Sequence, residues 1–286
     1  MNWISIDNEK CDGCKFCVVR CPRCFSKVGE EIVGQADETN CNVCGHCISL
    51  CEPEAITHEL MEMDNFPKVN PADNFDPATF FNFVRNRRSH RHFKNKAIEK
   101  AELEMLVDAC RYAPTGGNVQ NVELVVVEDR DKIKKLSNLT VDTYVGLGAA
   151  AAKEAEQLLA DGKEVPEALL RTQTYGQRMD ESRSEGLDPI FFNASALMIF
   201  HSTSDPGSAK DNCVIASTTV SLLARTMGIE STFIGFFVTA ANGNPEIRKE
   251  LQLPENNSVL SVLMMGYPRL KFHYAVDRFP LKVNWF

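Results

Sequence analysis

Nine of the 11 cysteines lie between Cys11 and Cys51, and this crowding constrains the fold more than any other feature of the sequence. They include two runs with the same spacing, C-x2-C-x2-C-x3-C: Cys11, Cys14, Cys17 and Cys21, then Cys41, Cys44, Cys47 and Cys51. A proline follows each run, at Pro22 and, displaced by one position, at Pro53. An odd count of cysteines at this spacing does not suit a secreted disulfide framework, so the runs predict bound metal.

Thiolates are the soft, anionic ligands that iron–sulfur clusters require. The spacing resembles that of the two-cluster bacterial ferredoxins over residues 1–60, which implies a small ferredoxin-like domain with two 4Fe-4S clusters. In that pattern the fourth cysteine of each run ligates the cluster of the other run. One cluster would take Cys11, Cys14, Cys17 and Cys51, and the other would take Cys41, Cys44, Cys47 and Cys21.

Zinc is the alternative metal, but zinc sites commonly pair two C-x2-C units, whereas consecutive two-residue spacings suit a cubane better. Cys24 is a ninth cysteine that the pattern does not use. We expect it to be a small buried apolar residue or a free thiol.

Residues 61–79 contain Pro67, Pro71 and Pro77 without a sustained apolar period, which predicts a linker. Beyond it, helix and strand patterns alternate, so residues 80–286 are predicted to form a layered α+β or α/β domain. Helices are predicted at residues 103–110, 149–160 and 213–227, the last of them apolar nearly all round. Strands are predicted at residues 124–127, 196–200, 232–238 and 259–265. The glycines at 146 and 148 lack the strand and the downstream acid of a dinucleotide fingerprint, so we reject one there.

The net charge of −8 argues against general binding of nucleic acid through a basic face. Residues 1–60 carry ten acidic and five basic side chains, which fits a charge-steered electron carrier as well as an ordinary surface. The apolar runs are too short to cross a bilayer, and the first residues lack an apolar core of signal-peptide length. We therefore expect a cytoplasmic protein.

A second motif is the basic segment Arg87-Arg88-Ser89-His90-Arg91-His92-Phe93. Guanidinium groups grip phosphate in a bidentate manner, although such a run alone is more often a solvated basic face or a nucleic-acid patch. One helix later comes Ala113-Pro114-Thr115-Gly116-Gly117-Asn118-Val119-Gln120. Its glycines allow the backbone to approach a planar ligand, and the segment is also a turn that ends a helix.

Together with Ile234-Gly235, Ile247-Arg248 and Gly266-Tyr267-Pro268, these motifs resemble the nitroreductase family of FMN oxidoreductases over residues 80–286. The resemblance implies an α/β/α domain with a central mixed sheet, and a homodimer that binds FMN at its interface. Residues 213–227 would form the interface helix. One departure is that Asn121-Val122 follows Gln120 where many relatives have Pro-Trp, which puts the substrate preference in doubt.

The resemblance also implies FMN contacts. The phosphate and ribityl contacts match Arg87, Arg88, Ser89 and Arg91. The residues that approach the isoalloxazine ring from the partner subunit match Thr115, Gly116 and Asn118. Ile234 and Gly235 match the backbone segment beside the ring. We expect Arg278 to complete the phosphate site, with Arg269 and Lys271 as alternatives.

The two resemblances predict an iron–sulfur flavoprotein that passes electrons through the clusters to FMN and on to a nitroarene, quinone or enone. The donor would be ferredoxin or NAD(P)H, and such fusions occur among nitroreductase-like proteins of anaerobes. No catalytic acid or base is predicted, since His90, His92 and His201 suit surface or packing roles. Two alternatives stay open: a redox sensor or electron-transfer partner without turnover, and an iron–sulfur regulator that binds nucleic acid through residues 85–91.

Overall fold

The computed structural model describes residues 1–203 and 207–286. The chain forms two compact units. The first contains residues 1–75 together with residues 116–119, and the second contains residues 76–115 and 120–286.

The first unit is built from two antiparallel strand pairs and two short helices. Strand β1 (Ile4–Ile6) pairs with β4 (Ile56–His58), and β2 (Phe25–Val28) pairs with β3 (Glu31–Gly34). Helix α1 (Phe16–Arg20) and helix α2 (His46–Ser49) each contain the third cysteine of a run. Short 3-10 turns follow at Met63–Asn65 and Pro71–Asp73.

The two cysteine runs adopt the same local conformation. Before the first run, the amide of Cys11 donates to the carbonyl oxygen of Asp7 at 3.0 Å, and before the second, Cys41 donates to Asp37 at 3.0 Å. The residue preceding each helix is left-handed, with φ of 65° at Lys15 and 72° at Gly45. The sequence repeat is therefore also a structural repeat of two half-modules.

The core of the first unit consists of Ile4, Cys24, Phe25, Ile32, Ala36, Cys47 and Ile56. Five more cysteines of the two runs pack against this core: Cys11, Cys17, Cys21, Cys41 and Cys51. The cysteines thus form part of the interior of the first unit, beside apolar side chains from its strands.

The second unit has four strands and seven α-helices in the described residues. In chain order they are α3 (Pro77–Arg85), α4 (Lys100–Cys110), β5 (Glu123–Val127), α5 (Arg130–Ala160), α6 (Glu167–Ser184), β6 (Ala196–Thr203), α7 (Ala209–Thr226), β7 (Glu230–Phe233), α8 (Gly235–Gly243), α9 (Pro245–Glu250) and β8 (Asn257–Gly266). The strand order in the sheet is β5-β6-β8-β7.

Side-chain alternation along the central strand β6 divides the core into two faces. Leu197 and Ile199 lie in a cluster with residues of α5 and α8, whereas Met198 and Phe200 lie in a second cluster with residues of α4 and α7. Because successive side chains of a strand point to opposite faces, the sheet lies between two helical layers. The predicted α+β layered architecture is confirmed.

The predicted mixed sheet is wrong for the described residues, because all three strand pairings are antiparallel. Two helices, α5 and α6, connect β5 to β6. The first helix leads the chain away from the end of β5 and the second leads it back, so that β6 begins at the end of the sheet where β5 stopped. The next strand then runs in the opposite direction. The same argument holds for α8 and α9 between β7 and β8.

Several elements differ from the prediction in their bounds or in their apolar character. Helix α5 begins at Arg130, well before the predicted residue 149. The strand expected at residues 232–238 ends at Phe233, because α8 begins at Gly235. Helix α3 begins at Pro77, inside the predicted linker, where the Asp76 side chain accepts a hydrogen bond from the Thr79 amide. Helix α7 is not apolar all round, since its buried residues include Asn212, Ser217 and Ser221. No helix of residues 1–203 and 207–286 could span a membrane.

Candidate cofactor sites

Five cysteines from the two runs line one pocket in the first unit. Four of them, Cys11, Cys14, Cys17 and Cys51, are the combination that the crossed pattern predicts, and the fifth is Cys47, which the pattern assigns to the other cluster. Most of the other lining side chains are apolar, including Ile6, Phe16 and Ile56. The fold therefore brings the last cysteine of the second run to the first three cysteines of the first run.

The remaining cysteines neighbour one another as well. Burial raises the pKa of the Cys47 thiol to about 11, and among its charged neighbours Cys44 and Cys21 raise that pKa further. Burial likewise raises the pKa of Cys17, whose neighbours are Cys14 and Cys11. Cys21, the last cysteine of the first run, thus lies beside cysteines of the second run.

No three His, Cys, Asp or Glu side chains among the described residues converge on a position for a single metal ion. A cubane takes its thiolates at separate corners, so its cysteines surround a pocket instead of a point. The chemistry of the donor set and the apolar pocket fit a cubane. A coordinating thiol is deprotonated outright, whatever the pKa of the free group. The cluster ligands stay a prediction.

Three residues that the motif did not single out support the cysteine runs. Asp7 and Asp37 close the turns before the two runs, and their identical D-x3-C spacing is visible in the sequence. His58, on β4, is 4% exposed, and its Nε2 lies 3.6 Å from Sγ of Cys41. No spacing signal points to His58, because 17 residues separate the two.

Cys24 is buried, as expected of a cysteine outside the ligand pattern. Its Sγ donates to the carbonyl oxygen of Asn40 at 3.3 Å. Burial raises the pKa of Cys24 to about 12, and the neighbouring Cys21 and Cys41 raise it as well.

In the second unit, the side chains of the basic segment 87–93 lie in two different places: Arg88 and His90 contact Phe272, whereas Arg91 lines a cavity. The Arg88 guanidinium lies 5.6 Å from the centre of the Phe272 ring, and the His90 ring meets the same ring edge-on at 4.7 Å. Nη1 of Arg88 is buried without a hydrogen-bond partner among the described residues. Such an orphaned cationic donor fits an anionic ligand, for example a phosphate.

The pKa of His90 reflects the positive electrostatic potential of this region. Its Nε2 lies 3.6 Å from Glu230, whose other oxygen lies 3.2 Å from Nε of Arg225. Burial lowers the pKa of His90, and the nearby guanidinium groups of Arg225, Arg87 and Arg88 lower it further in spite of the Glu230 carboxylate.

Arg91 faces a cavity of about 580 Å³. Arg178 and Arg269 add two more guanidinium groups to its lining, and Phe93, Tyr175 and Phe236 are among its aromatic residues. The volume is typical of a small-molecule site. Arg91 is therefore a predicted phosphate contact that lines this cavity. Arg269, which is a predicted alternative to Arg278, lines it as well.

The segment predicted to lie beside the flavin ring begins helix α8, next to this cavity. The Ile234 side chain is buried and its amide donates to Val262 at 3.1 Å, while Gly235 is exposed. No described side chain caps the helix. The unbonded amides of a helix N-terminus favour negative charge, and Phe236 of the first turn lines the cavity.

The structure does not bring the other predicted contacts to this cavity. Ser89 and Arg278 are exposed, and Arg87 lies half-buried near Glu230. Oγ1 of Thr115 accepts from the Gln120 amide at 3.1 Å. Gly116 and Asn118 belong to the first unit, where the Asn118 amide donates to Asn42 and Val43 at 2.9 and 3.0 Å. Contacts across a subunit interface stay a prediction.

Comparison with known proteins identifies the second unit. The family model described as Nitroreductase family matches residues 84–267. A curated protein of Archaeoglobus fulgidus, provisionally named as an NADH dehydrogenase/NAD(P)H nitroreductase, is 27% identical over 205 residues, which cover 68% of this chain and 90% of that protein. The FMN reductase (NAD(P)H) of Bacillus subtilis is 26% identical over 189 residues, covering 65% of this chain and 64% of that protein.

A similarity to solved structures concerns the fold alone. The crystal structure of a nitroreductase with bound FMN from Desulfitobacterium hafniense DCB-2 superposes with a TM-score of 0.53 at 19% identity. The match covers 72% of this chain and 97% of that chain.

Proposed function

Because the chain belongs to the nitroreductase family, we propose that it is an FMN-dependent oxidoreductase whose N-terminal domain carries two 4Fe-4S clusters. The arginine-lined cavity beside α8 is the observation that carries the flavin assignment, and the orphaned nitrogen of Arg88, three residues before Arg91 in the chain, supports it. The names of the relatives from A. fulgidus and B. subtilis support NAD(P)H as a donor, and the name of the second supports FMN.

The residues proposed to hold FMN have complementary tasks. Arg87, Arg88, Ser89 and Arg91 supply cationic and hydroxyl donors for the phosphate and ribityl chain, completed by Arg278 or Arg269. The backbone at Ile234 and Gly235 would face the ring, with Thr115, Gly116 and Asn118 approaching from a partner subunit. When bound, FMN supplies both one-electron and two-electron transfer. The aromatic side chains of the cavity would exclude water and stack on an organic acceptor.

The cluster assignment rests on the cysteine geometry of the first unit. Cys11, Cys14, Cys17 and Cys51 would hold one cluster, and Cys41, Cys44, Cys47 and Cys21 the other. When bound, the clusters supply one-electron transfer. The domain boundaries that we propose are residues 1–60 for the ferredoxin-like domain, 61–79 for the linker and 80–286 for the FMN domain. A cytoplasmic location also stays part of the proposal.

A homodimer is supported by apolar surface on the second unit. Val214 and Ile215 of α7 are each 39% exposed, and Phe279 and Trp285 of the C-terminal segment are 97% and 91% exposed. Large exposed apolar side chains in contiguous segments mark interaction surfaces. A second copy that covers them would place FMN at the interface.

The test is anaerobic purification of the full chain, followed by flavin and iron analysis and a turnover assay. We expect about one FMN and about eight irons per chain, two cubanes' worth. Nitroarenes, quinones and enones should be reduced over many turnovers with NAD(P)H or reduced ferredoxin. Flavin without multiple turnover would favour a redox sensor or electron-transfer partner. Stoichiometric zinc in a colourless protein would refute the clusters, and salt-dependent binding of DNA would favour the regulator.

Arg91→Ala tests the cavity. A charged hydrogen bond contributes about 1.5–3 kcal/mol, so the variant should bind FMN at least about tenfold more weakly. Arg171→Ala is the matched control, because Arg171 pairs with Glu167 on the exposed surface of α6. Equal FMN affinity in the two variants would place the phosphate site elsewhere.

A further inference from the structure

The strongest unassigned feature is His58, a buried imidazole beside a predicted cluster ligand. The histidine belongs to β4, where its backbone pairs with Ile4, and its ring lies 6.1 Å from that of Trp3. Its Nε2 lies 3.6 Å from Sγ of Cys41, within hydrogen-bonding distance for sulfur. The ring is thus fixed by a strand on one side and a tryptophan on the other.

The tautomer of His58 follows from its second nitrogen. The Leu60 amide donates to Nδ1 of His58 at 3.1 Å, so Nδ1 is an acceptor and carries no proton. The one proton of the neutral ring must therefore be on Nε2. That N–H points to the sulfur of Cys41.

We propose that His58 donates a hydrogen bond to the Cys41 thiolate and thereby raises the reduction potential of the cluster held by Cys41, Cys44, Cys47 and Cys21. This inference rests on the proposed function, because it requires the clusters. One-electron reduction makes the cluster sulfurs more negative, so a donor to a ligand sulfur stabilises the reduced form more than the oxidised form.

The repeat makes this contact asymmetric. Strand β2 comes after the first cysteine run, and β4 comes after the second. The third residue of β2 is Lys27, and the third residue of β4 is His58, so the two residues have equivalent positions in the repeat. Nζ of Lys27 pairs with Glu30 at 3.1 Å on the surface. Each ligand set accepts one backbone amide, from Ala55 to Cys51 and from Val43 to Cys41. Among the described contacts, the imidazole adds a nitrogen donor to the second set, whose Cys21 and Cys41 also neighbour the Cys24 thiol, and electrons should settle on that cluster.

The experiment is an anaerobic redox titration of the full chain, with the reduced clusters followed by electron paramagnetic resonance. In His58→Phe the ring remains but the donor is lost. The reduction potential of one of the two clusters should fall by up to about 59 mV, which corresponds to about a tenfold change in the one-electron equilibrium constant. In His58→Gln an amide N–H replaces the imidazole donor, and the potential should return most of the way to that of the wild type.

Lys27→Gln is the matched control, because Lys27 has the place in β2 that His58 has in β4, and its side chain pairs with Glu30 on the surface. It should not reproduce the fall. Eight irons in every variant with two unchanged potentials would overturn the role of His58 and leave the proposed function intact. Absence of iron from the wild type would instead overturn the proposed function and this inference with it.

A second measurement covers the case in which His58→Phe does not retain its clusters. In wild-type protein labelled with 15N-histidine, pulsed electron paramagnetic resonance should detect a weak coupling between one reduced cluster and an imidazole nitrogen. The coupling should disappear in His58→Gln. A spectrum without such a coupling would refute the hydrogen bond.

Discussion

His90 is a residue whose role is set by what surrounds it. Its side chain is buried against Phe272 and Glu230, and Oγ1 of Thr232 donates to its carbonyl oxygen at 2.5 Å. The arginines nearby lower its pKa, and burial lowers it most. Burial raises the pKa of Glu230, so the environment favours the neutral form of each partner. The predicted packing role of His90 agrees with this arrangement.

We expect His90 to make the protein less stable in mild acid. In the unfolded chain His90 binds a proton near its ordinary pKa of about 6.5, whereas native His90, with a lowered pKa, is still neutral there. Between the two pKa values only the unfolded state binds the proton, so the free energy of unfolding falls as the pH falls. His90→Gln should flatten this dependence in urea titrations between pH 7 and 5.

His92→Gln provides the matched exchange at an exposed position of the same segment. The prediction fails when the free energy of unfolding of His90→Gln depends on pH as steeply as that of the wild type.

At the scale of elements, helix α6 lines the cavity and packs closely against α5. Tyr144 of α5 and Tyr175 of α6 each pack edge-on against Phe236, at 5.2 Å between ring centres. The helices approach closely at Gly176, where an added Cβ would clash with the carbonyl oxygen of Tyr144. Because residue 176 has no side chain, α5 and α6 can pack closely enough for Tyr144 and Tyr175 to contact Phe236 of α8.

Gly176→Ala should therefore destabilise the second unit, although alanine is the better helix former. Overpacking costs about 1–3 kcal/mol, and here the obstructing atom is backbone that must move. Gly146→Ala is the control within α5, since a Cβ there meets no atom within 4 Å. It should stabilise by about 0.5–1 kcal/mol. Thermal unfolding should shift the two variants in opposite directions, and equal shifts would contradict the proposed close approach.

At the scale of the whole molecule, each unit has its own core, but the two cores differ in size. Seven buried residues form the core of the first unit, and four of them come from strands of three or four residues. In the second unit, two large clusters cover both faces of the sheet. Units as small as the first commonly need a metal or a disulfide in addition to their core. We expect bound clusters to stabilise the first unit, while the second unit folds around its sheet.

Cys14→Ala should consequently lower the iron content and leave about one FMN per chain. Hydrogen–deuterium exchange should increase over residues 1–75 and stay unchanged over β5, β6 and β8. Cys110→Ala, in α4 of the second unit, is the matched control and should change neither iron nor flavin. Loss of FMN from Cys14→Ala in proportion to iron would contradict this prediction and show that FMN binding depends on the first unit, to which the proposed contacts Gly116 and Asn118 belong.

The sequence by itself determined what depends on short spacing. The C-x2-C-x2-C-x3-C runs specify two equivalent half-modules, because three cysteines and a short helix lie within ten residues of one another. Apolar periodicity located the helix that ends at Cys110 and the strands at residues 196–200 and 259–265. These features depend on covalent geometry and local hydrogen bonds, which a single stretch of chain already contains.

Only the tertiary structure decided which distant residues become neighbours. His58 meets Cys41 across 17 residues, and Arg225 and Glu230 surround His90 across more than a hundred. The antiparallel direction of each strand follows from the number of helices between strands, and Arg269, not Arg278, lines the cavity with Arg91. Packing of complete elements selects such contacts, and no local pattern encodes them.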